Sequence, residues 1–221
     1  MTYQHRYADN TPCALPVGKV VCVGRNYAEH AKELGNAVPA EPILFIKPRT
    51  AVTSLLQPVR VPPGQGACHF ETEIALLIGS TLTQADEDTA REAIAGIGLG
   101  LDLTLREVQD ALKAKGLPWE KAKAFDGACP LSPFVRPAPV ADLANLRLRL
   151  QVNGENRQDG NSSDMLTPVL PLLVYMSRHF TLEPGDVVMT GTPRGVGPLL
   201  AGDAVRVTLG EDLLVVETRA V

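Results

Sequence analysis

Glycine and proline recur so often along this chain that they limit what it can fold into. The 221 residues include 19 glycines and 18 prolines. Proline removes a backbone donor and breaks helix interiors, whereas glycine permits tight turns and weakens regular elements. This pattern argues against a bundle of long helices. It favours short strands joined by many turns, in a β-rich α+β fold.

Charge and hydropathy exclude several classes of protein. The formal net charge is -4 and the sequence pI is about 5.6, whereas a nucleic-acid-binding domain needs a basic face. No apolar stretch approaches the roughly 20 residues of a membrane span, and residues 1–10 lack the apolar core of a signal peptide. The four cysteines have no CxxC spacing, which is typical of reduced thiols in the cytoplasm.

The strongest predicted strand is His69–Ile78, with sequence HFETEIALLI. Alternation along a strand places His69, Glu71 and Glu73 on one face. An ordinary solvated strand face is the simplest explanation for two such glutamates. However, this strand continues into a wholly apolar run, which indicates that it enters the core.

A third acid lies in another apolar strand, Ile97–Leu103, where Asp102 stands between two leucines. A lone carboxylate in such surroundings is costly unless it is paired or binds a metal. Together with Glu71 and Glu73, it could form an oxygen site for Mg²⁺ or Mn²⁺. The spacing alone leaves both readings open, a metal site or separate acids.

Two predicted helices carry polar pairs at a spacing of three residues. Arg106 and Gln109 share a face of the helix that follows Asp102, and a guanidinium there could bind a carboxylate. His30 and Glu33 share a face of a helix at residues 26–34, for which Asn26 is the predicted N-cap. A carboxylate that orients an imidazole favours a general base. The alternative for both pairs is that they lie on exposed helix faces and have no functional role.

Other candidates are weaker. The glycine-rich segment 190–197, TGTPRGVG, could offer backbone N–H groups to an anion, or form a tight turn. Lys47 and Lys123 lie in apolar surroundings, which is unusual for surface lysines.

Taken in order, these motifs resemble the fumarylacetoacetate hydrolase family. The nearest branch is the short, single-domain acylpyruvases, which include enzymes that also decarboxylate oxaloacetate. The motifs that carry the resemblance are Gly24-Arg25-Asn26-Tyr27 with His30, Phe45-Ile46-Lys47-Pro48, His69-Phe70-Glu71-Thr72-Glu73, Leu101-Asp102-Leu103-Thr104, Lys121-Ala122-Lys123, Pro184-Gly185-Asp186 and the segment from Thr190 to Gly197.

The resemblance implies a β-rich mixed-sheet roll of the family's C-terminal domain type, usually in a homodimer. Residues 19–221 would form a single catalytic domain, preceded by an N-terminal arm of residues 1–18. The family's longer members have a further upstream carboxylate ligand, whereas this chain has Gly24-Arg25-Asn26 in that region. We therefore expect three protein carboxylates around the metal.

The resemblance also implies roles for single residues. Glu71, Glu73 and Asp102 match the carboxylates that hold Mg²⁺ or Mn²⁺. The catalytic set is His30 and Glu33, a dyad on a lid helix, with Lys123 beside the metal. The positions that match substrate contacts are Arg25, Lys47, Arg106, Gln109 and Thr192.

The activity expected from this resemblance is metal-dependent hydrolysis of the C–C bond of an acylpyruvate, such as fumarylpyruvate or acetylpyruvate, through a pyruvate enolate. Oxaloacetate decarboxylation and the tautomerisation or isomerisation of a 2-oxo acid pass through the same kind of enolate and are the alternatives. A non-catalytic metal-binding protein is a further alternative. The expected partners are a small 2-oxo acid and a second copy of the chain, with no nucleic acid and no membrane.

Overall fold

A computed structural model of the chain describes residues 3–138, 140 and 142–221. The first two residues of the predicted arm therefore lie outside the described part. The described strands are β1 (Val20–Gly24), β2 (Ile43–Lys47), β3 (Val52–Ser54), β4 (Cys68–Phe70), β5 (Thr72–Ile78), β6 (Ile94–Leu101), β7 (Thr104–Leu105), β8 (Cys129–Leu131), β9 (Arg147–Val152), β10 (Glu155–Asn161), β11 (Val187–Met189), β12 (Gly197–Pro198), β13 (Ala204–Leu209) and β14 (Leu214–Arg219).

The helices are short, as the spacing of glycine and proline predicts. They are α1 (Ala28–Glu33), α2 (Glu87–Glu92), α3 (Arg106–Ala114), α4 (Glu120–Lys123) and α5 (Val169–His179). Single 3₁₀ turns occur at Arg49–Ala51 and Ser162–Asp164. Within the described residues, no helix has both the length and the apolar character needed to cross a bilayer.

A seven-stranded mixed sheet forms the centre of the molecule, in the order β2-β1-β11-β5-β6-β8-β3. The β1–β11 and β3–β8 pairs are parallel, whereas the other neighbours are antiparallel. Every residue of β5 is buried, so the sheet has apolar layers on both faces at its centre. This arrangement confirms the predicted β-rich α+β class with a mixed sheet.

Two smaller sheets complete the fold, one in the order β10-β9-β13-β14 and one in the order β12-β4-β7. The β9–β10 hairpin turns at Asn153-Gly154, where both residues have positive φ, 54° and 81°, as the Asn-Gly sequence predicts. A β-bulge between Asn156 and Gln158 shifts the register of this hairpin.

The predicted strand His69–Ile78 is divided at Glu71, so the prediction of one continuous strand is wrong. The first half, β4, belongs to the three-stranded sheet, whereas β5 belongs to the seven-stranded sheet. At the division, the Glu71 carbonyl accepts from the Asp102 amide at 2.8 Å, and the Thr72 amide donates to Gln158 Oε1 at 2.9 Å. The break therefore joins two sheets and brings Glu71 beside Asp102.

Asn26 does not cap the first helix, contrary to the sequence prediction. Tyr27 is the N-cap of α1, without a side-chain cap bond. The Asn26 amide instead bonds both backbone groups of Thr167 and donates to the Thr190 carbonyl at 2.9 Å. It thereby ties the start of α1 to the glycine-rich segment.

Residues 3–18 pack beside the main sheet, where they contact the segments that flank β8 and β11. His5 is buried and its Nε2 lies 3.0 Å from the Gly185 carbonyl. The Ala8 amide donates to the Phe134 carbonyl at 2.8 Å, and Tyr7 forms an isolated parallel bridge with Phe134.

Candidate active site

A small cavity, partly open to solvent, lies where β5, α1, α3, α4 and the end of β6 converge. Nine of the eleven side chains predicted for the site line it. They are Arg25, His30, Glu71, Glu73, Asp102, Arg106, Gln109, Lys123 and Thr192. The topology thus gathers residues that are up to 167 positions apart in sequence.

The three predicted metal carboxylates form a compact buried cluster. Glu71, Glu73 and Asp102 each offer an oxygen, and these oxygens lie within 4.8 Å of one another. Glu71 is at the β4–β5 break, Glu73 is the second residue of β5, and Asp102 directly follows β6. None of the three is more than 5% exposed. Three buried acids so close together require compensating positive charge.

Lys123 and Arg106 supply part of that charge. Lys123 Nζ lies between two acids, 2.7 Å from Glu71 Oε2 and 2.6 Å from Asp102 Oδ2. Arg106 donates to Glu71 through Nη2, and through Nη1 to Gln109 Oε1 at 2.7 Å. Burial would raise the pKa of Glu71, but Lys123 and Arg106 outweigh it and hold this pKa well below its usual value. The same acids raise the pKa of Lys123, although burial opposes them.

The structure does not place Lys47 among the residues that line the cavity, so the expectation of direct substrate contact is not met. Its side chain is fully buried behind Asp102, with Nζ 2.7 Å from Asp102 Oδ1. This contact is an ion pair without hydrogen-bond geometry, since Oδ1 has no hydrogen-bond partner. The ammonium instead donates to the carbonyls of Lys123 and Ala128. Lys47 is therefore a counter-ion beneath the site.

Glu73 differs from its two neighbours because no cation within the described residues forms an ion pair with it. Its Oε2 accepts from the Gly191 amide at 2.7 Å. Burial, and then the charges of Asp102 and Glu71, raise the pKa of Glu73 well above its usual value. A divalent cation between the three acids would remove that cost. Hard, buried oxygen donors of this kind fit Mg²⁺ or Mn²⁺.

The His30–Glu33 pair forms as the helical spacing predicts. His30 Nδ1 lies 3.2 Å from Glu33 Oε2, and the other Glu33 oxygen accepts from the Gly195 amide at 2.9 Å. The Glu33 carboxylate is placed to accept a hydrogen bond from Nδ1–H, which would leave Nε2 as the ring nitrogen free to exchange protons. His30 lines the cavity, whereas Glu33 acts on it only through His30.

Gln158 holds the glycine-rich segment to β5 and was not among the predicted site residues. It lies next to the bulge in β10 and is 1% exposed. Its Nε2 donates to Thr192 Oγ1 at 2.7 Å and to the Pro193 carbonyl at 2.8 Å. Thr192 Oγ1 in turn donates to the Thr72 carbonyl at 2.8 Å. No sequence signal marks this residue, because its position depends on the bulge.

Lys113 was not among the predicted site residues either, although its spacing from Gln109 could have indicated it. It lies four residues after Gln109 on α3, so the two share a helix face, and both line the cavity. Phe45 and Trp119 form an aromatic wall, with ring centroids 5.9 Å apart. His69, by contrast, does not join the acids on a common face: it is on β4, half-buried, and is not among the cavity-lining residues.

The chain is similar to several known proteins over nearly its whole length. The chain is 56% identical over 207 residues to the oxaloacetate tautomerase YcgM of Escherichia coli, covering 93% of this chain and 94% of that protein. A fumarylacetoacetate hydrolase family protein from Yersinia pestis CO92, described as putative, superposes with a TM-score of 0.97 at 53% identity, covering 99% and 100% of the two chains.

A fumarylpyruvate hydrolase from Pseudomonas aeruginosa, solved in complex with Mn²⁺ and pyruvate, superposes with a TM-score of 0.89 at 34% identity, covering 99% of this chain and 94% of that one. The family model described as fumarylacetoacetate (FAA) hydrolase C-terminal matches residues 19–220. That model spans nearly the whole described chain, including every residue of the acid cluster. The chain therefore belongs to the fumarylacetoacetate hydrolase family, as its motifs predict.

Proposed function

We propose that this protein is a divalent-metal-dependent enzyme that interconverts the keto and enol tautomers of oxaloacetate. The observation that carries the proposal is the buried acid cluster, in a cavity that Lys123, Arg106 and His30 also line. Among the described residues, no cation forms an ion pair with Glu73 in this cluster. The 56% identity to a protein named as an oxaloacetate tautomerase supports this substrate. It also reverses the order of the sequence-based expectations, which put acylpyruvate hydrolysis first.

Glu71, Glu73 and Asp102 are the residues that would hold Mg²⁺ or Mn²⁺. When bound, the cation supplies Lewis acidity that favours negative charge on the 2-oxo oxygen of a substrate. Once Glu73 has lost its proton to make room for the cation, the three acids carry three negative charges, and Lys47, Lys123 and Arg106 carry three positive charges. A divalent cation leaves these residues with two excess positive charges, which favours an anionic substrate such as oxaloacetate.

The chain's own residues can perform the proton transfers. His30 Nε2, with Nδ1 held by Glu33, would take a proton from carbon 3 of the keto form and return it to the oxygen on carbon 2. The net result is the enol with no gain or loss of protons. Lys123 would stabilise the negative charge that develops between these two steps, because a fixed ammonium in a buried site needs no reorganisation. Gln109 and Thr192 would contact the substrate on the remaining sides.

Acylpyruvate hydrolysis is the second candidate. The fumarylpyruvate hydrolase from Pseudomonas aeruginosa supports it, although at 34% identity. In this reaction His30 would deprotonate a water that attacks the distal carbonyl, and the C–C bond would break to release pyruvate as its enolate. Decarboxylation of oxaloacetate reaches the same enolate without an attacking water.

A substrate panel separates these activities. Purified protein with Mg²⁺ or Mn²⁺ is assayed for decay of the enol absorbance of oxaloacetate, for pyruvate release from oxaloacetate, and for cleavage of acetylpyruvate and fumarylpyruvate. We expect tautomerisation to be fastest and to stop in excess chelator. Glu73→Gln should abolish it, whereas Glu92→Gln, on the exposed end of α2, should not. Full activity in chelator would refute the metal-dependent proposal, and metal binding without any turnover would favour a non-catalytic protein.

The organisation of the protein extends the proposal. Residues 19–221 would act as one catalytic domain with residues 1–18 as an arm, in line with the family match from residue 19. A homodimer is part of the proposal: β2 and β3 end the seven-stranded sheet within the described residues, and a second copy could cover such an edge. Light scattering tests the dimer. Four free cysteines fit the reducing cytoplasm as its location.

A further inference from the structure

Two positively charged side chains on the cavity wall are not engaged by the acid cluster. Arg25 and Lys113 line the same cavity as the acids, and both are half-buried, whereas the three acids are buried. They therefore belong to the outer, more solvent-exposed part of the cavity. Arg106, by contrast, is committed to Glu71 and Gln109.

The fold fixes both residues at this place. Lys113 lies one helical turn beyond Gln109 on α3, which is about 6 Å along the axis. Arg25 directly follows β1 and has a φ of 59°, a left-handed conformation that is rare for residues other than glycine. Strained backbone of this kind is found preferentially at binding and catalytic sites.

Few carboxylates lie close enough to Arg25 and Lys113 to balance their positive charges. Within the described residues, no acid forms an ion pair with Arg25. In the part of the chain that the structure describes, the one ion pair of Lys113 is with Asp110, at 3.7 Å, and the Asp110 side chain is 60% exposed, so the pair contributes little. Burial, and then the charges of Arg25 and Arg106, lower the pKa of Lys113, although Asp110 opposes them. An anion beside Lys113 and Arg25 would relieve this repulsion.

We propose that Arg25 and Lys113 form an anion subsite that receives the second carboxylate of a dicarboxylic 2-oxo acid. The inference rests on the proposed function, since it assumes that the first carboxylate and the 2-oxo group are directed at the acid cluster. It makes Lys113 a specificity-determining residue, because a substrate with an uncharged tail has nothing to offer this subsite. The protein then selects oxaloacetate over monocarboxylic acylpyruvates such as acetylpyruvate.

Two stable ligands test the subsite by binding alone. Malate and 2-hydroxybutyrate share a carboxylate and a 2-hydroxyl group, and differ in a terminal carboxylate against a methyl group. Calorimetry in the presence of Mg²⁺ measures both affinities. We expect wild-type protein to bind malate roughly tenfold or more tightly than 2-hydroxybutyrate, which is the range of a hydrogen-bonded charge pair.

Variants assign that preference to these side chains. Lys113→Met and Arg25→Met should each remove most of the preference by weakening malate alone, and Lys113→Met should raise KM for oxaloacetate with kcat nearly unchanged. Lys115→Met, on an exposed lysine two residues further along, is the matched control and should behave as wild type. Both variants lie at half-buried positions, and circular dichroism verifies that they fold.

The outcomes separate the subsite from the proposed function. If wild-type protein turns over oxaloacetate but binds both ligands equally, the subsite is refuted and the function stands. Equal effects of Lys113→Met and Lys115→Met also refute the subsite. If neither ligand binds and oxaloacetate is not turned over, the proposed function fails and the subsite fails with it.

Discussion

Replacement of Lys47 by methionine tests the idea that this lysine is a structural counter-ion. Its ammonium is the cation behind Asp102, and it also donates to two carbonyl groups. Removing one partner of a buried ion pair costs about 3–5 kcal/mol, because the other charge remains buried. Asp102 keeps Lys123 as a second partner, so we expect the lower end, about 3 kcal/mol. For a chain of this size, that corresponds to a fall in Tm of roughly 6–12 °C.

The measurement is guanidinium denaturation in the presence of chelator, with Lys121→Met, on the exposed face of α4, as the control. An unchanged m-value would show that the variant unfolds from the same compact state. Saturating Mg²⁺ or Mn²⁺ should narrow the gap between Lys47→Met and wild type, since a cation at the acid cluster compensates the charge of Asp102. A loss below about 1 kcal/mol, or one equal to that of the control, would refute the counter-ion role.

Three further predictions concern the site. Burial and two neighbouring carboxylates raise the pKa of Glu73, so the folded metal-free protein keeps a proton on Glu73 that the unfolded chain loses. The contribution of Glu73 to the free energy of unfolding therefore falls as pH rises above the usual pKa of 4.5. Metal binding should release this proton. Calorimetric titration with the metal in buffers of different ionisation enthalpy measures the number of protons released, and a value of zero would refute the prediction. His30→Ala should slow tautomerisation and hydrolysis roughly 10²–10⁴-fold but slow decarboxylation less. His179→Ala, at an exposed position, is the control. Equal losses in all three rates would show that His30 only positions the substrate and does not transfer protons. Gln158→Met leaves buried hydrogen-bonding groups unpaired and should lower the free energy of unfolding by about 3 kcal/mol. It should also raise KM, because Gln158 holds Thr192 in place. Wild-type stability in the denaturation assay would contradict this prediction.

Some features of the site could be predicted because they depend on local spacing or on burial. Asp102 between two leucines is an acid that must enter the core, and the structure leaves it 1% exposed. The pairs Arg106–Gln109 and His30–Glu33 depend only on the geometry of one helix turn. Both pairs form with the predicted spacing.

Other features depend on contacts between segments that are distant in sequence, and no local sequence pattern predicts them. The break at Glu71 exists because the chain passes from one sheet to another, and alternation of apolar residues does not record such a change. Gln158 reaches Thr72 only because of a bulge in β10. The apolar neighbours of Lys47 indicate that it is not an ordinary surface lysine, but only the tertiary fold reveals which acid it faces.

The hydrogen bonds around Thr192 also fix which way its hydroxyl group can act. Gln158 Oε1 accepts from a backbone amide, so the Gln158 nitrogen must be the atom that donates to Thr192 Oγ1. The hydroxyl proton is then committed to the Thr72 carbonyl. One lone pair remains on this oxygen, and a ligand atom that reaches it must bring its own proton. An enol hydroxyl has such a proton whereas a ketone oxygen has none, so the polarity of a single hydroxyl group can distinguish two tautomers of equal size and charge.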